Sequence, residues 1–539
     1  MIRILTGNYP RGIESLKYLA IAAAVLPGVV LAGQVNHPAG PNLTYGAVST
    51  EHNILSNVTN PAFGATALKE EENEYRLGIL NLGFSYELGK LDNVIDAADA
   101  ASLALENTVD STSFTVTQAS GIITIDNSGA TTAINTNTII TDQLTSMTTD
   151  GYTGAETNFE TELNSRIASA LTAEIDAAVS TIATSFQNDI NATVTPAVNA
   201  LNDNGSLKLG MIAYVPLTPL VITHNKLGGS LVLNANISVQ GKLNYTSSYT
   251  KPAAAINANA VTASGDPTVA ANWSVDENTL NPQFDIATDA AVAIKTAAIT
   301  EIGVGYSMPF RKYEKGQVYL GGGVNLYQVG LSKSFVGLAG TTNTDRVLRD
   351  QVDASLDMDN GFGIDLGAMW IADNYSLGAT VSNINSPSFD YQNTSVCSDF
   401  SNYVDLNNAS NNVTSTTLAQ CNAIETYSMD PQLSLEASTH AWNDKLTLGF
   451  GLDANAVADP LGAEYQWLTA SAGANLGNWI AIRGGYRSNL ADNGLSFYSL
   501  GATALGVNLD LAVSKESIDL NGSTVPRAGY LNISWGVTF

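Results

Sequence analysis

Glu87, Lys242, Asp365, Glu436, Asp453, Arg483, Arg487 and Asp510 each stand at a polar position within a stretch where apolar and polar residues alternate. Alternation with a period of two puts such residues on one face of a sheet. Their chemistry is therefore that of fixed charges beside water. Mixed charges on such a face have two readings: they line a water-filled path for polar solutes, or they pair with one another and with a plug. Arg483 and Arg487 lie four positions apart on the same face, placed to meet an acidic plug residue or an anionic head group.

Catalytic constellations are poor by comparison. The segment Gly305-Tyr306-Ser307-Met308-Pro309 lacks the second glycine of a nucleophile elbow. Gly361-Phe362-Gly363 is followed by Gly367, which is not the spacing of a dinucleotide fingerprint. His37, His52, His224 and His440 are scattered, so no zinc set is formed. Asp345, Asp350, Asp353, Asp357 and Asp359 crowd one loop, yet Gly361 comes one position early for an EF-hand starting at Asp357; a solvated acidic loop is the alternative to a calcium site. The reading is a protein that is not an enzyme and has no cofactor and no resident metal.

The chain has 539 residues, of which 14% are charged, and carries a net charge of −27. That balance argues against nucleic acid, which needs a basic face. A mean hydropathy of +0.05 is too low for a bundle of membrane helices, but it suits strands that average a lipid face with a wet face. Residues 1–32 read as a signal peptide. Arg3, Arg11 and Lys17 are basic, residues 18–31 are apolar, and Val30-Leu31-Ala32 forms a small-residue cleavage site. Such a stretch is short for a span of a bilayer core of roughly 30 Å. Cys397 and Cys421 fall in one polar stretch; they close a loop in an oxidising compartment or remain free thiols. Closure would add about 3 kcal/mol by the chain-entropy estimate.

The elements that must position these charges are strands. In 230–245, Leu231, Leu233, Ala235, Ile237 and Val239 alternate with Ser230, Asn234, Asn236, Ser238 and Gln240. Similar stretches predict an all-β fold, an antiparallel transmembrane barrel of about 14 strands. They run at 77–89, 207–217, 229–245, 298–309, 317–335, 361–371, 375–384, 431–440, 445–455, 465–476, 479–489, 494–505, 507–516 and 528–539, and those at 317–335 and 494–505 lose phase, which predicts bulges. Short links alternate with long ones, as periplasmic turns do with outer loops. Tyr75, Tyr375, Trp442, Trp479 and Tyr530 near strand ends suit interfacial girdles. Between the first two strands, 90–206 begins rich in Ala, Thr and Asn. It then carries Leu163, Ile167, Leu171, Ile175, Val179, Ile182, Phe186 and Ile190 at near-helical spacing, which predicts a supercoiled helix or helical hairpin ending near Pro196. The last strand ends in Trp535 and Phe539, an aromatic terminus of the kind that the β-barrel assembly machinery receives.

After the cleavage site come His37-Pro38-Ala39-Gly40-Pro41, then Tyr45-Gly46-Ala47, and then Asn60-Pro61-Ala62; Val215-Pro216-Leu217-Thr218-Pro219-Leu220 follows the insertion. This arrangement resembles the FadL-type superfamily of long-chain fatty-acid transporters, in particular its branch of TraF-like conjugal-transfer proteins. The resemblance implies a barrel (77–539, interrupted by 90–206) whose segment 33–76 folds back into the lumen as a hatch. Asn60, Pro61 and Ala62 would be its motif, the alternative being a simple turn before a strand. It further implies a channel for hydrophobic or amphipathic small molecules, monomeric, in the outer membrane of a Gram-negative bacterium and in contact with its lipid and lipopolysaccharide. The rival reading is a surface-interaction protein for conjugal transfer, cell contact or adhesion, with a plugged barrel as anchor. The F-plasmid protein called TraF is thioredoxin-like, but the two cysteines here are 24 positions apart rather than in a C-x-x-C motif.

Overall fold

The computed structural model describes residues 40–50, 53–68, 74–89, 114–127, 130–151, 156–196, 199, 201, 205–255, 263–264, 274–275, 283–337, 356–404, 412–442, 445–477, 480–491, 494–520 and 523–539. The expectations for 1–32, for Asp345, Asp350 and Asp353, and for Trp479 lie outside these residues.

The wall is a closed antiparallel barrel of 14 strands. They are β1 (Glu74–Leu88), β2 in two halves (Ser206–Tyr214 and Leu220–His224), β3 (Gly229–Thr246), β4 (Ala291–Tyr313), β5 (Gly316–Gly337), β6 (Asp359–Ala372), β7 (Tyr375–Ser382), β8 (Gln432–Ala441), β9 (Leu446–Asp453), β10 (Trp467–Gly477), β11 (Ile480–Asn489), β12 (Ser496–Ala504), β13 (Val507–Ser514) and β14 (Ala528–Thr538). Each pairs with the next, and β14 returns to β1 with Leu80 opposite Trp535 and Leu82 opposite Ile533. Closure leaves no open edge, which hydrocarbon requires because it offers backbone groups no partner.

Alternation sorts the side chains. Phe84, Ile302, Val324, Leu366, Phe450 and Leu509 are exposed on the outer face, whereas Asn81, Asn236, Gln240, Thr469 and Asn532 are buried on the inner one. Links at one end are tight: Glu314 and Lys315 join β4 to β5, and Leu505-Gly506 joins β12 to β13 with both residues at positive φ, as a two-residue hairpin demands. At that end Tyr313 packs 5.6 Å from Trp370, whose indole nitrogen donates to Tyr375, and Trp442 is exposed, forming one aromatic girdle. No described helix is long and apolar enough to cross a membrane.

Three expectations change. β4 begins at Ala291 rather than 298, and its added residues include the inward Lys295, which meets Glu425 of a loop. The register shifts fall at Gly78/Leu80, Pro309/Arg311 and Asn475/Gly477; the second interrupts the β4–β5 ladder, but its extra residue lies on β4, opposite Val318 and Tyr319, and the ladders of β12 run unbroken. Tyr530 does not join the girdle; it is buried inside against Phe497, with ring centroids 5.2 Å apart.

Inside the barrel lie two short helices, α1 (Asn42–Tyr45) and α2 (Ser56–Thr59), and a 3-10 turn at Phe63–Ala67. The insertion after β1 carries a three-stranded sheet (Phe114–Ala119, Ile122–Asn127, Ala130–Asn135), then α3 (Thr136–Thr149) and the 34-residue α4 (Glu156–Asp189). α3 and α4 share a small core of Ile140, Met147, Leu163 and Ile167, so the first part of the helical stripe is buried between two helices.

The seam between β1 and β14 ends with Tyr75 and Phe539 exchanging both backbone hydrogen bonds at 2.9 Å, and with their rings stacked at 6.1 Å. Deleting Phe539 removes that closing pair. The expected result is several-fold less folded barrel in membranes, read as loss of the heat-modifiable band on unboiled gels; an unchanged band would show that the seam closes without it.

Candidate functional site: the barrel interior

The segment 40–68 is fastened to inward-facing wall groups at several heights. Thr44 Oγ1 donates to Asp510 on β13 at 2.9 Å. Glu436 on β8 accepts from the Ser49 amide, from Ser49 Oγ at 3.0 Å and from Asn60 Nδ2 at 2.7 Å. Asn60 Oδ1 in turn accepts from the Ala62 amide at 3.0 Å, which fixes the turn through Pro61. This Asn-Pro-Ala turn lies directly on the wall: a Cβ at Gly321 would overlap the Pro61 carbonyl, and one at Gly367 would overlap Asn60 Oδ1. The glycines of β5 and β6 thus create close approach rather than bends alone. Phe63 then fills a pocket with Ala62, Ala65, Tyr319 and Met369.

All eight charges picked from the alternation face inward, but they form separate groups. Arg483 is neutralised by Asp510, with Nε to Oδ1 at 2.7 Å and Nη2 to Oδ2 at 2.5 Å. Asp365 accepts from Asn325 Nδ2 at 2.7 Å and from the Asn383 amide at 2.8 Å. Asp453 accepts from Ser434 Oγ at 2.7 Å and from the Trp467 amide at 3.0 Å. Arg487 lies with its Cζ 3.8 Å from the centre of the Trp467 ring. Glu87 stands opposite Lys208, and Lys208 opposite Lys242. Trp535 faces outward and is exposed.

That last pairing belongs to a row the sequence did not reveal. Lys208, Lys242, Lys295 and Lys333 are direct cross-strand neighbours on β2, β3, β4 and β5. Like charges placed opposite one another repel, and loop groups answer three of them. Lys208 meets Asp459 and the Tyr465 hydroxyl, Lys295 meets Glu425, and Lys333 donates to the carbonyls of Gln420 at 3.0 Å and Ala423. Asp459 is held ready by the amides of Leu461 at 2.9 Å and Ala463 at 2.8 Å. Over this row the loops form a cap whose core joins Phe389, Tyr427, Met429 and Leu461 to Ile299, Val329 and Leu331 of the wall. Cys397 and Cys421 are bonded, which ties a turn at Cys397–Asp399 to helix α5 (Thr416–Asn422). Among the described residues no group of three or more His, Cys, Asp or Glu is arranged to hold a metal ion.

Asp289 fastens the cap's other side. It is 1% exposed and accepts from the amides of Ser248 at 2.8 Å and Tyr249 at 3.1 Å, and from Ser415 Oγ at 2.6 Å, the N-cap of α5. Burial pushes its carboxyl up, but the hydrogen bonds from Ser248, Ser415 and Tyr249 outweigh it and hold the group below its ordinary value. Stabilisation from a depressed carboxyl is present above the unfolded-state value and is lost as pH falls through the folded one. Acidification below about pH 4 should therefore expose the 383–431 loop to protease, whereas Asp289→Asn should expose it already at neutral pH, with little further response to acid. Arg483→Ala should destabilise the barrel by about 3–5 kcal/mol, because Asp510 is left buried and unpaired. Denaturant unfolding in lipid vesicles reads this, and replacing both partners by apolar residues should recover most of the loss.

Among solved structures, the toluene transporter TodX of Pseudomonas putida is 11% identical over 95% of this chain and 99% of its own, with a TM-score of 0.32. A TodX deltaS2S3 mutant, described as a monoaromatic hydrocarbon channel, is 10% identical over 93% of this chain and 98% of its own, with a TM-score of 0.35. CdiB from Acinetobacter baumannii is 7% identical, covering 63% of this chain and 51% of its own, at a TM-score of 0.24. No curated protein sequence matches. Residues 57–453, well over half of the chain, match the family described as "F plasmid transfer operon, TraF, protein", and the chain belongs to that family.

Proposed function

We propose that this protein is a channel of the Gram-negative outer membrane for hydrophobic or amphipathic small molecules, with the segment 40–68 as its hatch. Asn60-Pro61-Ala62 then acts as the hatch's foot on the wall. The apolar outer face, the aromatic girdle and the division into tight turns and long loops support the membrane setting.

The observation that carries the channel reading is the interruption of β2. Its first half pairs with β1 at Leu82 to Leu88 and its second half at Glu74 to Leu77. Between them, no described ladder pair joins Ile79, Leu80 or Asn81 to 215–219. Pro216 and Pro219 have no amide hydrogen to offer a ladder. The opposite flank stays sealed, because the Ala235 carbonyl of β3 accepts from the Val215 amide at 3.0 Å and from Thr218 Oγ1 at 2.9 Å. Besides the inward Asn81, which accepts from Asn532 Nδ2 at 3.0 Å, apolar side chains flank the gap on both sides. Inside, Leu55 of the segment 40–68 packs on Ile212 and Tyr214, with Ile54 beside them; outside, Leu80 and Leu217 are exposed. A hydrophobic solute that has passed the cap finds there an exit into the bilayer that avoids the aqueous compartment.

Removing 216–218 leaves two residues opposite Asn234 and Ala235, so that β2 can run unbroken. Cellular uptake of a labelled fatty acid is expected to fall at least tenfold while the barrel still folds. Undiminished uptake would refute the lateral exit, and purified barrels in liposomes that pass neither hydrophobic probes nor ions would refute the channel.

A second reading is favoured by the insertion, whose sheet and helical hairpin have a core of their own and exceed what a pore needs. The family description names a plasmid transfer operon, which suits a surface module for cell contact. Loss of mating or aggregation on deleting 91–205, with uptake intact, would assign that role to the insertion.

A further inference from the structure

Arg483 and Arg487 are a pair in the sequence but not in the fold. Arg483 spends its donors on Asp510, Thr503 and Asn508. Arg487 is 3% exposed, yet its Nε and Nη1 have no hydrogen-bond partner among the described residues. A guanidinium stays charged at any physiological pH and has only donors to offer. One buried against the Trp467 ring with two donors unused is prepared for an acceptor.

Arg487 lines a cavity of about 200 Å³ between the segment 40–68 and the cap. The same cavity is lined by Glu301 and by four further carboxylates, Asp365, Asp430, Glu436 and Asp453. The described hydrogen bonds of the latter four come from neutral groups: Asn325, Ser386, Asn60 and Ser434 respectively. None of these four makes an ion pair among the described residues. The chamber therefore combines a guanidinium with two donors unused, its charge felt by Asp453 but not in contact with it, and four carboxylates that make no ion pair among the described residues. A simple anion would satisfy the first and be repelled by the rest; a simple cation would do the reverse. Tyr427, Met429, Leu452 and Val457 add an apolar wall.

We propose that this chamber binds the head of a zwitterionic amphipath, with its anionic oxygens on Arg487 and its cationic centre among the carboxylates. This rests on the channel reading only in supposing that an amphipath reaches the chamber past the cap. Charge pairing at both ends of one chamber selects such a head over either half of it.

The test is calorimetric titration of the purified full-length barrel in neutral sugar-headgroup micelles with four ten-carbon probes: N-decyl-N,N-dimethylglycine, decanoate, decyltrimethylammonium and decanol. The zwitterion is expected to bind at least tenfold more tightly than each of the others. Arg487→Gln should abolish that preference, and Arg487→Lys should restore part of it. Gel mobility before and after heating shows that each variant is folded. Decanoate or decyltrimethylammonium matching the zwitterion on the unaltered protein would overturn the proposal without any variant. An unchanged preference in folded Arg487→Gln would overturn it equally. Uptake separates the two readings: selective binding without transport leaves this site standing and removes the channel, whereas transport of neutral probes without zwitterion selectivity does the opposite.

Discussion

Hydrocarbon gives a backbone amide nothing to bond to, so a sheet in a bilayer must close on itself or fail. The pairing of β14 with β1 meets that demand here, and the rest of the molecule is arranged around it. Because the ring must be continuous, a local opening in it can exist only where the chain removes donors or finds them other partners. The interruption of β2 does both. Two of its five bridging residues are prolines, and Ala235 on the neighbouring strand takes a backbone and a side-chain donor from the same bridge. The gap is thus confined to one flank of one strand.

Closure also creates an inside, which must be filled or wetted. The segment 40–68 fills much of it with backbone and small side chains, and the wall accommodates it by withholding Cβ atoms at Gly321 and Gly367. Charge then does what packing cannot. Glu436 and the Arg483–Asp510 pair hold the segment by hydrogen bonds that have an ionised partner, the stronger kind in a medium of low polarity.

The wall was legible in the sequence because lipid on one side and polar groups on the other impose a two-residue period that few other folds sustain for so long. The eight inward charges followed from that period alone. What escaped were relations between strands. β4 begins before its sequence signal because its inward Ala297 packs into the cap's core, which reverses the polarity that marks a lumen. The half-strand Leu220–His224 was hidden behind the prolines that separate it from its first half. Tyr530 looked like a girdle residue by position, yet its register against Ala512 turns it inward. The lysine row could not be seen at all, since adjacency across four strands depends on loop lengths and register rather than on spacing along the chain. The same holds for the different fates of Arg483 and Arg487, which depend on where Asp510 falls two strands away.

The lysine row sets a level at which wall and loops become one object. Four ammonium groups side by side on neighbouring strands repel one another in a bare barrel, so the wall by itself is incomplete at that height. Loops in membrane barrels ordinarily drift in length and composition, since little below them depends on what they contain. Here the freedom is conditional: a loop can lengthen, shorten or change its surface, but it has to deliver a carboxylate where Asp459 and Glu425 now stand. Substitutions at those loop positions and at Lys208 or Lys295 should therefore travel together during divergence. That coupling links the most variable part of such a molecule to its most regular part.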